Sequence, residues 1–243
     1  MIPSAGLALL PTLLSAVAGT LPGSEHPKVR AAWVHKQKAL QAIFDKKGVP
    51  FPAPHLLIRV FKAEGVLELW GEPAPGAQYV LVRSYPICRS SGELGPKRRE
   101  GDEQVPEGFY RVTVFNPNSA YHLSLGIDYP NLSDRILGKG GPLGGAIMIH
   151  GNCVTIGCVP ITDDGIEEVY LAALATHARG GEEIPVEIFP NRLTADGLDE
   201  ISRVRPELRG FWSNLATGYD YFEKNRRPPR VHVGADGSYR FAR

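Results

Sequence analysis

Ala146-Ile147-Met148-Ile149-His150-Gly151-Asn152-Cys153-Val154-Thr155-Ile156-Gly157-Cys158 is the stretch from which the rest of the chain is read. Ala146 to Ile149 is an apolar run with the pattern of a buried strand. It ends at His150-Gly151, and Gly157-Cys158 follows after a short loop. A thiol near neutral pH is mostly protonated and needs an imidazole or local positive potential to act as a nucleophile. A strand that delivers His150 to its end, with Cys158 returning nearby, is therefore a candidate thiol–imidazole site. Gly151 and Gly157 allow tight turns and close approach of a substrate to backbone N–H groups. Beyond Cys158, Ile166, Val169, Tyr170, Ala173 and Leu174 recur at helical spacing, and Gly180-Gly181 ends the run. Asp164, with Glu167 three residues on, is the expected N-cap. If that helix end points at the sulfur, its partial positive charge favours the thiolate.

Three other readings of the same residues stand beside this one. His150 and the cysteines can be buried structural residues. His150, Cys153 and Cys158 have metal-ligand chemistry, although a fourth ligand must come from elsewhere. A Cys153–Cys158 disulfide would disarm the site. Cys88 is either buried as a thiol or paired with Cys153.

Thr155-Ile156-Gly157-Cys158 resembles the Ser/Thr-x-Gly-Cys signature of the L,D-transpeptidases, the YkuD-type peptidoglycan enzymes. Ile149-His150-Gly151 resembles that family's strand-borne His-Gly. The short spacing of the two motifs is most similar to the YafK-like branch. So are Ser84-Tyr85-Pro86-Ile87-Cys88, Ser91-Gly92-Glu93-Leu94-Gly95-Pro96-Lys97, Tyr121-His122-Leu123-Ser124, Tyr129-Pro130-Asn131 and Phe211-Trp212-Ser213-Asn214-Leu215. The resemblance covers roughly residues 50 to 243. It implies a mainly β YkuD-type sandwich, mostly antiparallel, with added helices. It also implies Cys158 as nucleophile, His150 as base, and Thr155, Gly151 and Gly157 in support. Thr155 or the backbone would orient His150, and N–H groups around Gly157 and Cys158 would hold an oxyanion. The implied partner is a peptidoglycan stem peptide cleaved after its third residue, with a peptidoglycan-linked lipoprotein as a further candidate. No metal or organic cofactor is required. The chain departs from the pattern of many L,D-transpeptidases at Pro160, where Arg or Asn is usual. The runner-up function is a non-catalytic cell-wall-binding or metal-binding protein.

Working outward, 243 residues allow one large domain or two small ones. A net charge of +1 implies no nucleic-acid partner, and three cysteines are too few for a disulfide scaffold. Residues 1–18 read as a signal peptide ending at Ala16-Val17-Ala18, which places the mature protein in the periplasm. That run is too short and too Pro-broken for a stable membrane span. Residues 19–50 form an N-terminal arm with a helix from Glu25 to Lys47, carrying Trp33, Leu40 and Phe44 near one face. The catalytic domain is expected over 51–190. It contains a Leu56–Phe61/Val66–Trp70 hairpin and strands at Tyr79–Arg83, Phe109–Val114 and Val186–Phe189. Ile87–Pro106 and Asn116–Gly145 read as long irregular loops that wall the cleft. Lys97-Arg98-Arg99 is either solvated or attracts stem-peptide carboxylates. His122, alternating with apolar neighbours, is a second-tier candidate for the site. Residues 191–243 form a C-terminal extension with a helix over Leu208–Phe222 and a strand at Val231–Val233.

Overall fold

The computed structural model describes residues 21, 23–138, 140–180 and 183–242. The expected signal peptide, and Gly181 of the expected helix stop, lie outside the described residues.

The hairpin forms as expected from β1 (Leu56–Phe61) and β2 (Val66–Gly71), with β3 (Val80–Pro86) flanking β2. β4 (Gly108–Asn116), β5 (Ser124–Ile127), β6 (Met148–His150), β7 (Val159–Pro160) and β8 (Pro185–Phe189) complete an eight-stranded sheet of order β3-β2-β1-β8-β4-β5-β6-β7. β1 pairs parallel with β8, and β6 with β7; the other five pairings are antiparallel. The architecture is therefore mainly β with added helices, built from one curled, mixed sheet. Irregular register at Leu69/Trp70 and between Val112 and Val114 adds the local twist that bulges supply. The two edge strands meet: Ile87, just past β3, bridges Ile161, just past β7. The Cys88 N–H donates to the Pro160 carbonyl at 3.1 Å across the same seam.

Helix α1 (Pro27–Lys46) lies on α3 (Asp163–Gly180). Through its middle, from Gly165 to Thr176, α3 is buried on nearly every side, including Glu168, which pairs with Arg83 at 3.0 Å. In α1 only one stripe is buried, including Leu40 and Phe44, as the spacing predicts. The cap of α3 is Thr162, not Asp164: its Oγ1 accepts from the Gly165 N–H at 3.1 Å. Asp164 is instead exposed and paired with Lys36 of α1. The Asn116–Gly145 segment is not irregular throughout. It holds β5 and the short α2 (Leu132–Leu137), which is closed by a capping box between Asn131 and Asp134. α2 is too short for a readable period, and β5 is hidden among the Asn, Pro and Gly residues around it. α4 (Ala195–Val204) was likewise not expected, while α5 (Arg209–Asn225) and the hairpin β9 (Arg230–Val233)/β10 (Tyr239–Ala242) follow the expected helix and tail strand. α5 packs Trp212, Leu215 and Tyr219 against Phe61, Phe109 and Phe189 of the sheet, which makes a second core.

Candidate active site

Parallel pairing of β6 with β7 aligns Ile149 with Val159 and His150 with Pro160. Cys158 thus enters β7 level with Met148, one strand away from His150. Its Sγ lies 3.4 Å from the Met148 N and 3.7 Å from the Ala146 carbonyl oxygen. Ala146 has φ 54°, so the backbone bends there and the strand begins only at Met148. Cys158 is half-buried and forms part of the wall of a cavity of about 250 Å³. Ile87, Arg89, Ser90, Ser91 and Glu93 face it, so the first of the two expected cleft walls does line the site. That wall is anchored by Lys62, whose Nζ donates to the carbonyls of Glu93 (3.1 Å), Gly95 (2.9 Å) and Val105 (3.0 Å). It also pairs with Glu107 at 2.9 Å.

His150 is 1% exposed. Its Nδ1 is hydrogen-bonded to the Gly151 carbonyl, and the Tyr121 ring lies 4.8 Å from it, centroid to centroid. A carbonyl can only accept, so Nδ1 carries the proton and Nε2 the lone pair. His150 and Cys158 are not hydrogen-bonded to each other in this arrangement. Burial pushes the Cys158 thiol up, against the lowering effects of the Met148 N–H and the Lys97 charge. Burial pushes the His150 imidazole down, against the raising effect of the Gly151 carbonyl. Both effects favour a neutral thiol beside a neutral imidazole. The helix end of α3 is not among the groups that touch the sulfur, so the expected thiolate at that end is not what the geometry builds.

Thr155 is not hydrogen-bonded to His150. Its Oγ1 donates to the Cys158 carbonyl at 2.8 Å and accepts from the Gly157 N–H at 3.1 Å. The backbone, through Gly151, is what orients the imidazole. The Gly157 N–H is therefore occupied, whereas the Cys158 N–H makes no hydrogen bond among the described residues. Gly157 has φ 132°, and a Cβ there would stand 3.1 Å from the Gln104 carbonyl. At Gly151 the constraint is space: a Cβ would meet Asp163 Oδ1 at 2.4 Å. The same Asp163 oxygen accepts from the Asn152 N–H at 2.7 Å and holds the turn after His150.

Cys88 and Cys153 form a disulfide, with Cα atoms 5.4 Å apart and a sequence separation of 65. Cys158 is thereby the free thiol, and the Cys153–Cys158 bridge is excluded. The proposed metal set of His150, Cys153 and Cys158 also loses a ligand, because a disulfide sulfur is not a thiolate. His122 does not line the cavity. Its Nε2 bonds Glu167 Oε1 at 2.8 Å, because the residue sits at φ 71° in a turn and the strand begins only at Ser124. The basic run is not solvated throughout: two of its three cations are held by carboxylates, and Arg99 is exposed. Lys97 is buried and pairs with Asp102 at 2.5 Å, and Arg98 pairs with the buried Asp134 at 2.8 Å. Sequence reasoning missed Tyr121, Lys62 and Glu107. Only their three-dimensional neighbours give them a role.

The fold and the site together define a curled β-sheet protein with one free cysteine on a cleft wall and a histidine on the adjoining strand. Residues 60–188 match the L,D-transpeptidase catalytic domain, YkuD. Over 184 residues the chain is 40% identical to YafK of Escherichia coli strain K12, provisionally labelled an L,D-transpeptidase. That match covers 75% of this chain and 72% of YafK. Among solved structures, the helical cell shape determining protein Pgp2 of Campylobacter jejuni aligns at TM-score 0.45 and 17% identity, over 74% of this chain and 73% of that one. L,D-transpeptidase 1 of Mycobacterium tuberculosis aligns at TM-score 0.32 and 14% identity, over 56% of this chain and 62% of that one. The chain belongs to the L,D-transpeptidase family. Membership makes it a peptidoglycan-modifying enzyme.

Proposed function

We propose that Cys158 acts on peptidoglycan stem peptides through a thioester, with His150 as general base. The observation that carries this reading is a free thiol on the wall of a cavity, one strand from a buried imidazole. The two groups start neutral, so the thiol proton passes to His150 Nε2 as Sγ attacks the carbonyl carbon of the third stem residue. The unoccupied Cys158 N–H is the oxyanion donor within reach of the new tetrahedral centre. His150 then gives the proton to the leaving amine, and an amine or water resolves the thioester. Pro160 lies where many relatives carry Arg or Asn, and the His-to-Cys loop is short. An amine gains its advantage over water only from being positioned. Hydrolysis is therefore expected to be at least as fast as transpeptidation, including release of a peptidoglycan-linked lipoprotein. Secretion to the periplasm fits a disulfide that persists only under oxidising conditions.

The test is mass spectrometry of sacculi carrying both cross-links between third residues and bound lipoprotein, after incubation with the purified protein. Release of shortened stems or of lipoprotein, lost in Cys158→Ala, is the expected result. Accumulating cross-links without release would restore transpeptidation as the main reaction. Full activity in Cys158→Ala would end the nucleophile assignment. Sacculus binding with no turnover in either protein would leave a binding module.

A further inference from the structure

We propose that Ser124 is a positioning residue for His150 and accepts a hydrogen bond from the imidazolium formed during catalysis. The inference rests on His150 being the base. Ser124 and His150 are direct partners in the antiparallel β5–β6 ladder. Direct partners present their side chains on the same face of a sheet. The Gly151 N–H donates to the Leu123 carbonyl at 3.3 Å, one residue outside the pair on each strand. That makes Ser124–His150 a non-hydrogen-bonded pair, the type in which the side chains stand closest. Both residues are 1% exposed, and the Ser124 hydroxyl has no hydrogen-bond partner among the described residues. A buried unpaired hydroxyl costs stability, and a strand facing a core has apolar residues available to it.

The chemistry of the site supplies a use for it. When the thiol proton moves from Cys158 Sγ to His150 Nε2, the ring acquires a charge and two N–H donors in a place shielded from water. The Gly151 carbonyl accepts one of them. Once the sulfur is bonded to carbon in the tetrahedral intermediate, the Nε2–H needs a second acceptor until it is given to the leaving amine, whose departure forms the thioester. The Ser124 oxygen, on the neighbouring strand and unengaged among the described residues, is that acceptor. No further reactant is involved: one proton leaves sulfur, rests on nitrogen and departs with the amine.

Ser124→Ala removes one atom from a buried position and so keeps the fold. Three readouts are needed: the His150 titration followed by NMR, with His150→Gln to assign its signal; kcat and KM on a stem peptide; and Tm. The expected result is a His150 midpoint lowered by about one pH unit, since a hydrogen bond to a charged group is worth about that much. A roughly tenfold lower kcat with KM unchanged should accompany it, and Tm should be unchanged or higher. An unchanged midpoint with unchanged kcat overturns the proposal. So does a lowered Tm with an unmoved midpoint, which marks Ser124 as a packing residue. The NMR titration reads the Ser124–His150 contact whether or not His150 is the base. Retained turnover in His150→Gln would instead refute the base assignment.

Discussion

At Tyr121 the ring that covers the His150 imidazole is itself 44% exposed, so it stands between the base and solvent. Burial is the main cause of the lowered imidazole pKa. Since the base must be neutral to take the thiol proton, a lowered pKa keeps it competent below the usual histidine value near 6.5. The acidic limb of kcat/KM is accordingly expected below that value. Tyr121→Ala, which admits water to the ring, is expected to move the limb upward. A pH–rate profile that stays in place would show that Tyr121 does not set the dielectric around the base. Replacing His150 with Ala should lower kcat/KM by about 10²–10⁴-fold at neutral pH, the usual range for a general base. A near-unchanged rate in that variant would make the buried imidazole a structural group.

Between β6 and β7 lies a loop that has to place Cys158 one strand from His150, and three devices hold it. Thr155 bonds within the loop, Asp163 of α3 grips Asn152, and the Cys88–Cys153 disulfide ties it to the end of β3. The last also bolts together the two edges of the curled sheet. Replacing both cysteines with Ser should cost about 2–5 kcal/mol of stability, the range for a native disulfide. Chemical denaturation of the double variant measures this. The expected change in activity is a lower kcat, because the loop that carries Cys158 is less restrained. A double variant with unchanged stability and rate would show that the seam's hydrogen bonds suffice.

Across the whole molecule, Glu107 joins parts that are far apart in sequence. Its carboxylate accepts from Lys62 at the β1–β2 turn, from the Gly95 N–H of the cleft wall at 2.7 Å, and from Trp212 of α5 at 2.8 Å. Glu107 is fully buried and Lys62 nearly so. Losing one partner of such a pair leaves an uncompensated buried charge, at a cost of about 3–5 kcal/mol. Glu107→Ala should lower stability by that amount in denaturant unfolding. It should also weaken the wall facing Cys158, so activity measured well below the unfolding midpoint should fall as well. Restoration of stability by adding Lys62→Met would show that the stranded ammonium is the cause. If Glu107→Ala keeps full stability, the network is dispensable.

Much of this protein was legible in local pattern. Alternating and continuous apolar runs marked β1, β2, β6 and β8, helical spacing marked α1, α3 and α5, and the paired motifs pointed to His150 and Cys158. Those signals survive in one dimension because a strand or helix repeats its burial every two or 3.6 residues. β7 and α2 are too short to repeat a period, and β5 lies in a stretch otherwise rich in Asn, Pro and Gly, so their existence was decided by pairing and packing. The partners of polar groups were decided in the same way. Thr155 turned inward to the loop, His122 turned to Glu167, Lys97 and Arg98 were claimed by buried carboxylates, and Cys153 chose Cys88 over Cys158. A hydrogen bond or a disulfide depends on which groups meet across distances of tens to hundreds of residues. Only the closed sheet determines those meetings. The sequence by itself determined which residues could do chemistry; the tertiary structure decided which of them were left free to do it.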